Sequence, residues 1–365
     1  MTGKIDGIKK GLKAALVCAV IPIMLSACWE GLEEISEKIG GGVVSAYSAG
    51  DAETYTADSV SFKMVYVPGG LTFPTGINDD GIATVSNAYW ISETEVTYEL
   101  WGKVYIWATG DTDMNGVIDG GENAGAYSFT FDLLKLPRAG NDGVPGSEQN
   151  SPEPVTYVNW RHAMVWCNAL TEWYNAKEGT GYACVYYTDS AKTTPIRIVN
   201  DGVVGSIPGD QDNIFVKIDA TGFRLLSSNE WELAARYRDG TLWTYGDHAS
   251  GDDSGACYDD GSILGGLGMS TVFGDYAVYS VNSGLSTAVV KSKTNGYNAL
   301  GLYDMSGNVW EWCFDWHSLN VGIYRVLRSG PFSHDASYQR VGRVDDYGSP
   351  NSEYSYVGFR FARTQ

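Results

Sequence analysis

The chain has 365 residues, with 25 Lys and Arg against 44 Asp and Glu, and a formal net charge of −19. So acidic a protein repels phosphate backbones, which argues against nucleic acid as a partner. Its 12 Trp, 24 Tyr and 45 Gly indicate a loop-rich globule with an aromatic core, and the length allows one large domain or two small ones.

Residues 1–27 have the pattern of an export signal, with lysines ahead of an apolar stretch at 14–24 that is too short to span a bilayer. Leu25-Ser26-Ala27-Cys28 follows and resembles a bacterial lipobox. That resemblance implies cleavage before Cys28 and a diacylglycerol on its sulfur, which would hold the protein at a membrane without a spanning helix. The alternative is an ordinary signal peptide in which Cys28 has no special role. We predict a lipid-anchored protein of the bacterial envelope, on the outer membrane or cell surface.

Residues 28–60 are predicted to be a tether between this anchor and a domain at 61–365. Residues 29–39 suit a short acidic helix, the glycines at 40–42 end it, and Ser, Ala, Asp and Thr dominate up to Ser59. Such a composition is typical of a flexible spacer. A helix packed on the domain is the alternative.

Hydrophobic periodicity predicts the first elements of the domain. Alternation of apolar and polar residues predicts strands from Phe62 and at Ala88–Ile91. Apolar residues at steps of three and four predict helices at Thr97–Thr109 and Trp160–Lys177. A third helix is predicted at Asn229–Tyr237, with Ser228 or Asn229 as its N-cap.

Four cysteines follow Cys28, and their spacing matches no zinc site: Cys167, Cys184, Cys257 and Cys313. Export permits disulfides, and four cysteines allow three pairings. The sequence does not distinguish among these pairings.

Six segments in order resemble the formylglycine-generating enzyme (sulfatase-modifying factor) family. They are KMVYVPGG, AYWISETEVTYELW, PVTYVNWRHAMVWCNALTEW, TGFRLLSSNEWELAARY, NALGLYDMSGNVWEWCFDW, and YRVLRSGPF with VGFRFAR. The resemblance implies an α+β, C-type-lectin-like fold that is loop-rich, with short strands and a few helices. It also implies that Asn308 and Glu311 match calcium ligands, although one amide and one carboxylate are too few to define a site.

The enzymes of this family, by the same resemblance, are copper oxidases that use two cysteines after an R-G-G-S-W-like motif. Thiolates select Cu(I), so the residue type is essential. The corresponding segment here starts at Arg328 and has no cysteine; His334 and Gln339 occupy the two positions. Other enzymes of the family, by the same resemblance, use iron. The four histidines of this chain are scattered and form no pair that could bind it. We therefore predict no catalytic residues, since a fold does not carry an activity whose site is missing.

Residues 111–122, DTDMNGVIDGGE, match the EF-hand calcium-loop pattern. Gly116 lies at the sixth position, where the turn needs glycine, and the predicted structural calcium ligands fall at positions 1, 3, 5, 7, 9 and 12: Asp111, Asp113, Asn115, Val117, Asp119 and Glu122. The flanks are not paired helices, so this would be an isolated loop. The alternative is an Asp- and Gly-rich surface turn.

Residues 331–356 are rich in Ser, Tyr and Asp, which make up 12 of 26 residues, and such a face resembles a paratope. Retroelements diversify this segment in one subset of the fold family by mutating adenines, so Asn codons scatter to Asp, Ser, His, Tyr or Gly but never to Gln or Glu. Gln339 and Glu353 are therefore predicted to be a fixed frame. The predicted ligand-binding positions are Phe332, Ser333, His334, Asp335, Ser337, Tyr338, Arg343, Asp345, Asp346, Tyr347, Ser349, Asn351, Ser352, Tyr354 and Ser355. The alternative is an unselected polar loop, and codons would separate the two.

Three classes of function remain. The favoured one is a surface-displayed, non-enzymatic monomer that binds an unknown protein or other surface ligand through its diversified C-terminal face. The second is an oxidase or other enzyme of the formylglycine-generating family, which tight Cu(I) binding would support. The third is a structural envelope lipoprotein with no specific partner.

Overall fold

The structure is a computed structural model that describes residues 47–118, 129–132, 135–199, 210–254, 270 and 272–365, with Asp346 described by its backbone alone. The predicted signal peptide and Cys28 lie outside the described residues, as do Asp119, Glu122 and Cys257. Residues Tyr47–Gln365 form one compact unit. Among the described residues, no helix combines the length and the apolar character needed to cross a bilayer.

A five-stranded antiparallel sheet carries the two chain ends of this unit. Numbered along the chain, its strands are β1 Ala52–Ala57, β2 Val60–Val67, β5 Tyr89–Ser92, β10 Phe223–Leu225 and β15 Phe361–Thr364. Their order in the sheet is β1-β2-β5-β15-β10.

Strand β1 lies within the segment predicted to be a tether, so the predicted domain boundary at residue 60 is wrong. Tyr55 and Ala57 are buried, whereas Thr54 and Thr56, which alternate with them, are exposed. This alternation over four residues is too short to stand out from the Ser- and Thr-rich composition around it. The pairing of Tyr55 with Phe62 across the turn makes the strand.

A second sheet has four strands in the order β13-β12-β11-β14. Its strands are β11 Trp310–Trp316, β12 Arg325–Arg328, β13 Asp345–Gly348 and β14 Val357–Gly358. Strand β14 runs parallel to β11, and the other pairs are antiparallel. The chain between β12 and β14 is the segment predicted to bind ligands.

The other strands of the described residues form three two-stranded sheets. Strand β3 Leu71–Thr75 pairs with β4 Gly81–Val85, and β6 Arg138–Ala139 pairs with β7 Val155–Thr156. Strand β8 Tyr186–Tyr187 pairs with β9 Phe215–Val216.

The helices begin at side-chain caps. Helix α1, Tyr98–Thr109, is capped by Thr97 and ends at Gly110 in the left-handed region. Helix α2, Trp160–Glu178, is capped by Asn159, whose side chain accepts from the His162 N–H. The remaining helices are α3 Ser228–Arg236, α4 Phe273–Tyr276 and the 3₁₀ helix η1 Ala336–Tyr338.

Helix α3 begins one residue earlier than predicted, and its N-cap is Ser227 rather than Ser228 or Asn229. The Ser227 hydroxyl accepts from the Glu230 N–H at 3.2 Å, and the Glu230 carboxylate accepts from the Ser227 N–H at 2.8 Å. This reciprocal pair fixes the start of the helix. The three predicted helices are otherwise confirmed in place and type.

The core lies between α1, α2 and the two larger sheets. Trp101 of α1 stacks on Trp166 of α2 at 5.7 Å between ring centroids. Phe359, which lies between β14 and β15, packs edge to face against Trp166 at 5.3 Å. Buried aromatic rings of this size supply most of the apolar area in a loop-rich domain. The mixed, loop-rich α+β architecture is as predicted.

Candidate ligand-binding face

The segment 331–356 is held at both ends by backbone hydrogen bonds. Phe332 N–H donates to the Asn308 carbonyl at 2.8 Å, next to the end of β12. At the other end, Trp310 N–H donates to the Tyr356 carbonyl at 2.9 Å. Between these points the chain forms η1 and then β13, which pairs with β12.

Gln339 fixes the first loop of the segment from inside. Its side chain is fully buried, and its amide donates to the carbonyls of Pro331 at 3.0 Å and His334 at 3.1 Å. Gly330 approaches it so closely that a Cβ there would overlap the Gln339 amide oxygen. The loop of residues 331–338 is therefore folded around one buried side chain.

Arg328 fixes the second part of the segment. Its guanidinium is buried, donates to the Arg343 carbonyl at 3.0 Å, and pairs with Glu232 of α3 at 2.7 Å. Glu232 also pairs with Arg236 at 2.8 Å, whereas Glu230 pairs with Arg224. A buried charge needs such compensation. The segment is thus tied to helix α3.

Glu353 supports the end of the segment from below. It is 6 % exposed and accepts from the Lys135 N–H at 2.6 Å. Its other carboxylate oxygen lies 3.6 Å from His162 Nδ1. Gln339 and Glu353, the two positions predicted to be fixed, both point into the protein.

Five side chains form a continuous, half-buried surface that we name the Tyr–His face: His334, Tyr338, Arg343, Tyr354 and Tyr356. The His334 and Tyr338 rings meet edge to face at 4.7 Å, and the Arg343 guanidinium lies 4.7 Å over Tyr338. Tyr354 stacks on Tyr356 at 5.2 Å, and His334 lies 6.2 Å from Tyr356. Because the inner edges of the three tyrosines pack on the core, the rings are fixed before any ligand arrives.

Two predicted ligand positions do not lie on an accessible surface. Phe332 is 5 % exposed and Asp345 is 6 % exposed. Asp345 accepts from the Tyr347 N–H at 3.2 Å and lies 3.6 Å from the Arg343 guanidinium. As ligand contacts these two positions stay predictions, while their buried side chains support the face in this structure.

The other predicted positions lie at or near the surface. The Asp346 side chain is outside the description. Three are exposed: Ser333, Asp335 and Tyr347. Nine are half-buried: His334, Ser337, Tyr338, Arg343, Ser349, Asn351, Ser352, Tyr354 and Ser355.

Tyr356 belongs to the Tyr–His face, although it is not among the predicted ligand-binding positions. Burial, with the neighbouring Tyr354 hydroxyl, raises its pKa. The Tyr-x-Tyr spacing of 354 and 356 is the sequence signal for this contact, because residues two apart in a strand place their side chains on the same side. Here the chain at these positions forms a turn rather than a strand, and the two rings stack.

Beneath the face lies a buried ionic network. Arg360 binds both carboxylate oxygens of Glu311 at 2.7 Å, and the Trp231 indole N–H donates to Glu311 at 2.7 Å. Asn308 donates to Glu95 at 3.0 Å and accepts from the Ala288 N–H at 2.9 Å. The groups that the family resemblance suggested as calcium ligands are therefore bound to protein partners here.

The acidic groups of this network are perturbed. Burial, with the nearby Asp304 and Glu311 carboxylates, raises the pKa of Glu95 well above its usual range. Burial also raises the pKa of Asp304 to about 6. Both groups are buried, so the network supports the fold from within.

The three described cysteines are buried and lie outside segment 331–356. Cys167, Cys184 and Cys313 are buried free thiols, and burial raises the pKa of each. Cys313 is the last cysteine of the chain. Raised pKa values suppress the thiolate form that binds Cu(I) or acts as a nucleophile.

The first half of the predicted calcium loop is described and is tightly turned. Asp111 accepts from the N–H groups of Asn115 at 3.1 Å and Gly116 at 2.7 Å. Gly116 has φ +85°, in the region where glycine is favoured. Within the described residues no group of three His, Cys, Asp or Glu side chains is placed to hold a metal ion. Asp119 and Glu122 lie outside those residues, so the predicted ligand set stays a prediction.

The fold and the sequence blocks define the class of this protein. Residues 50–365 match the Sulfatase-modifying factor enzyme 1-like domain, and the chain belongs to this family. The fold class and the family that the sequence predicted are confirmed.

Particular solved structures are similar across the whole domain. Treponema denticola variable protein 1 is 30% identical, with a TM-score of 0.58 over 86% of this chain and 99% of that one. CarF is 25% identical, with a TM-score of 0.57 over 85% of this chain and 99% of that one. The family blocks and segment 331–356 resemble the Treponema variable protein TvpA, and the first of these structures confirms that resemblance for the domain. The lipobox, which is part of the same resemblance, stays a prediction.

Curated relatives match over shorter stretches. Chaperone protein LppX of Paenibacillus barcinonensis is 29% identical over 179 residues, 48% of this chain and 56% of that protein. The formylglycine-generating enzyme of Streptomyces coelicolor is 34% identical over 160 residues, 39% of this chain and 46% of that protein. The chain spans about half the length of the curated relatives it matches. The family therefore includes enzymes, while this chain also resembles a variable protein.

Proposed function

We propose that this chain is a non-enzymatic binding protein of the bacterial envelope that captures a protein or other surface ligand through the Tyr–His face and its neighbouring residues in 331–356. The observation that carries this proposal is the construction of the face. Buried Gln339, Arg328 and Glu353 hold a row of half-exposed aromatic rings in place.

The composition and rigidity of the face support recognition. Tyrosine offers a large contact area at a small loss of conformational entropy, and serine and asparagine around it provide adaptable hydrogen bonds. Because the rings are already packed, binding costs little ordering of the face. The outward positions can change without disturbing the three buried supports, which suits a surface diversified by a retroelement.

The test replaces three tyrosines of the segment together, Tyr338, Tyr347 and Tyr354, with serine. Wild type and variant are compared on arrays of extracellular proteins and of glycans. We expect every ligand that wild type captures to lose at least about 10-fold in affinity, since each aromatic contact contributes on the order of 1 kcal/mol or more. Tyr347→Ser alone, at a side chain that is 72% exposed, leaves the fold intact and should lower the affinity in part.

The matched control replaces Tyr245 and Tyr297, which are 59% and 48% exposed and lie outside the segment. This control should bind like wild type. Equal binding by the triple variant would contradict the proposal and favour a structural lipoprotein. Thermal melts confirm that each variant is folded.

The non-enzymatic part of the proposal is supported by the absence of cysteine after Cys313. A Cu(I) titration in competition with a chelator of known affinity tests it. We expect no tight stoichiometric binding. Tight binding of one Cu(I) per chain would revive the oxidase function.

We further propose that Cys28 carries a lipid anchor and that the protein is monomeric at the outer membrane or cell surface, with no nucleic-acid partner. The lysines, the apolar stretch and Leu25-Ser26-Ala27-Cys28 support the anchor. Cys28→Ala should release the protein from membrane fractions into the soluble fraction. Retention of the variant in the membrane fraction would contradict the anchor.

We also propose that residues 111–122 bind a structural calcium ion. The complete ligand pattern and the left-handed Gly116 support this. Calorimetric titration with Ca²⁺ should give binding in the micromolar to millimolar range typical of such loops, and Asp111→Asn with Asp113→Asn should remove it. Asp239→Asn, at a surface turn, is the control. Binding that survives the double substitution would contradict the proposed site.

A further inference from the structure

The hairpin between β11 and β12 is a closed and ordered turn beside the predicted segment. His317 N–H donates to the Tyr324 carbonyl at 2.8 Å and closes its base. The Asn320 carbonyl accepts from the N–H groups of Ile323 and Tyr324, both at 3.0 Å, and closes its tip. The backbone of residues 317–324 is therefore already shaped without a ligand.

The tip of this hairpin exposes three aliphatic side chains within five residues. Leu319 is 86%, Val321 67% and Ile323 56% exposed. Residues 317–324 contain no Asp, Glu, Lys or Arg, although the chain as a whole carries −19. Single exposed apolar residues are ordinary, but a group of them on an ordered turn marks an interaction surface.

The hairpin is continuous with the segment 331–356. Trp316 of β11 lies opposite Arg325 of β12, which lies opposite Gly348 of β13, so the base of the hairpin meets the end of β13. Tyr324 contacts Tyr347 with 6.5 Å between their ring centroids, and Tyr347 is 72% exposed. A partner that binds the segment at Tyr347 therefore also contacts the hairpin.

A cavity of about 240 Å³ opens at the base of the hairpin. Its walls include Ile214, Phe314 and Trp316, with Arg325 and Asp315. Arg325 is fixed between the indole rings of Trp160 and Trp316, each 3.6 Å from the guanidinium carbon. The cavity is thus a recess with both apolar and charged walls, in which Arg325 is held in place, next to a convex apolar tip.

We propose that this tip and cavity are a constant anchor for a protein partner that presents an apolar patch rimmed by Lys or Arg, while segment 331–356 supplies the contacts that vary. This inference rests on the proposed binding function and names its partner class. Exposed aliphatic side chains gain from burial against another protein, whereas polar glycans give them little to contact. Apolar side chains beside Tyr and Arg are typical of the centre of a protein interface, and the acidic chain attracts a basic rim.

The probe is a naive phage-displayed library of small monobodies, selected against the full wild-type chain. Such a library samples folded protein surfaces without bias toward one region, so its binders concentrate where the surface favours protein recognition. Selected monobodies are then measured against Leu319→Ser with Val321→Ser and Ile323→Ser. We expect most of them to lose at least about 10-fold in affinity, because several apolar contacts are removed at once. We also expect Lys and Arg around their contact residues.

The matched control is Ile82→Ser with Ile218→Ser, at aliphatic side chains that are 79% and 77% exposed elsewhere. Binders unaffected by the hairpin variant, or equally affected by the control, overturn the inference. Binding of wild type to phosphatidylcholine vesicles that the hairpin variant loses overturns it in favour of a lipid surface. A wild-type dimer in sedimentation that the hairpin variant loses overturns it in favour of a second copy of the chain.

A variant with Tyr338→Ser and Tyr354→Ser separates this inference from the proposed function. Loss of monobody affinity on the hairpin variant alone supports the anchor, and the array experiment with the tyrosine variants then decides the Tyr–His face. Loss on the tyrosine variant alone contradicts the anchor and leaves the proposed function standing. Loss on both supports both.

Discussion

His162 makes buried hydrogen bonds that its sequence context does not predict. It is fully buried at the third position of α2, its Nδ1 accepts from the Asn159 N–H at 3.4 Å, and its Nε2–H donates to the Asp132 carbonyl at 3.1 Å. In the sequence it was one of four scattered histidines. Its partner Asp132 lies 30 positions away, and no local pattern predicts such a contact.

The titration of His162 gives a pH prediction. Burial lowers its pKa from 6.5 to about 3. Between these values the unfolded chain binds a proton that the folded chain does not, so stability is present above pH 6.5 and is lost as the pH falls. Wild type should lose up to about 3 kcal/mol of unfolding free energy between pH 6.5 and about pH 4 from this residue, with Glu353 beside Nδ1 moderating the loss.

His162→Gln is the comparison, because Gln at this helix position keeps the capping box and does not titrate. Urea unfolding of both proteins over the acid range measures the effect. The free-energy difference between the two should shift with pH in favour of the Gln variant as the pH falls. Parallel curves would show that His162 is not the group responsible.

At the scale of elements, local signals located the helices to within one residue of their starts, but they did not locate all of the strands. Apolar spacing placed α1, α2 and α3 correctly, because helical periodicity is carried by neighbouring residues. Strand β1 and most of the second sheet were not predicted. Their pairing depends on partners distant in the chain, as where Trp310 lies opposite Val357. The same distance hid the pair between Glu311 and Arg360, which lie 49 positions apart.

The start of α3 provides a prediction at this scale. Ser227→Ala removes the acceptor for the Glu230 N–H and should destabilise the protein by about 1 kcal/mol. Asn229→Ala is the matched control, since Asn229 is exposed and lies inside the helix, where alanine is favourable. Denaturant titrations compare the two. A larger loss for Asn229→Ala would mean that the helix begins where the sequence alone suggested.

The whole molecule combines a constant frame with a surface that tolerates change. The sequence identified the family and the segment, because six blocks and a biased composition are visible without a structure. It did not show that Phe332 and Asp345 are buried or that Tyr356 joins the Tyr–His face. Those facts depend on how the segment folds around Gln339 and Arg328.

Copies of this gene from different isolates should differ mainly within segment 331–356. If a retroelement diversifies the segment, differences between isolates should concentrate at accessible positions such as His334, Tyr338 and Tyr347. Gln339 should stay constant, because its buried amide holds two carbonyls and Gly330 leaves no room for another shape. Sequencing the locus from many isolates tests this, together with a search for a near-identical repeat beside a reverse-transcriptase gene that differs only at adenines. Differences spread evenly through the scaffold, or a locus without that repeat, would contradict diversification. Ligand binding would then depend on one fixed surface, which the tyrosine substitutions test separately.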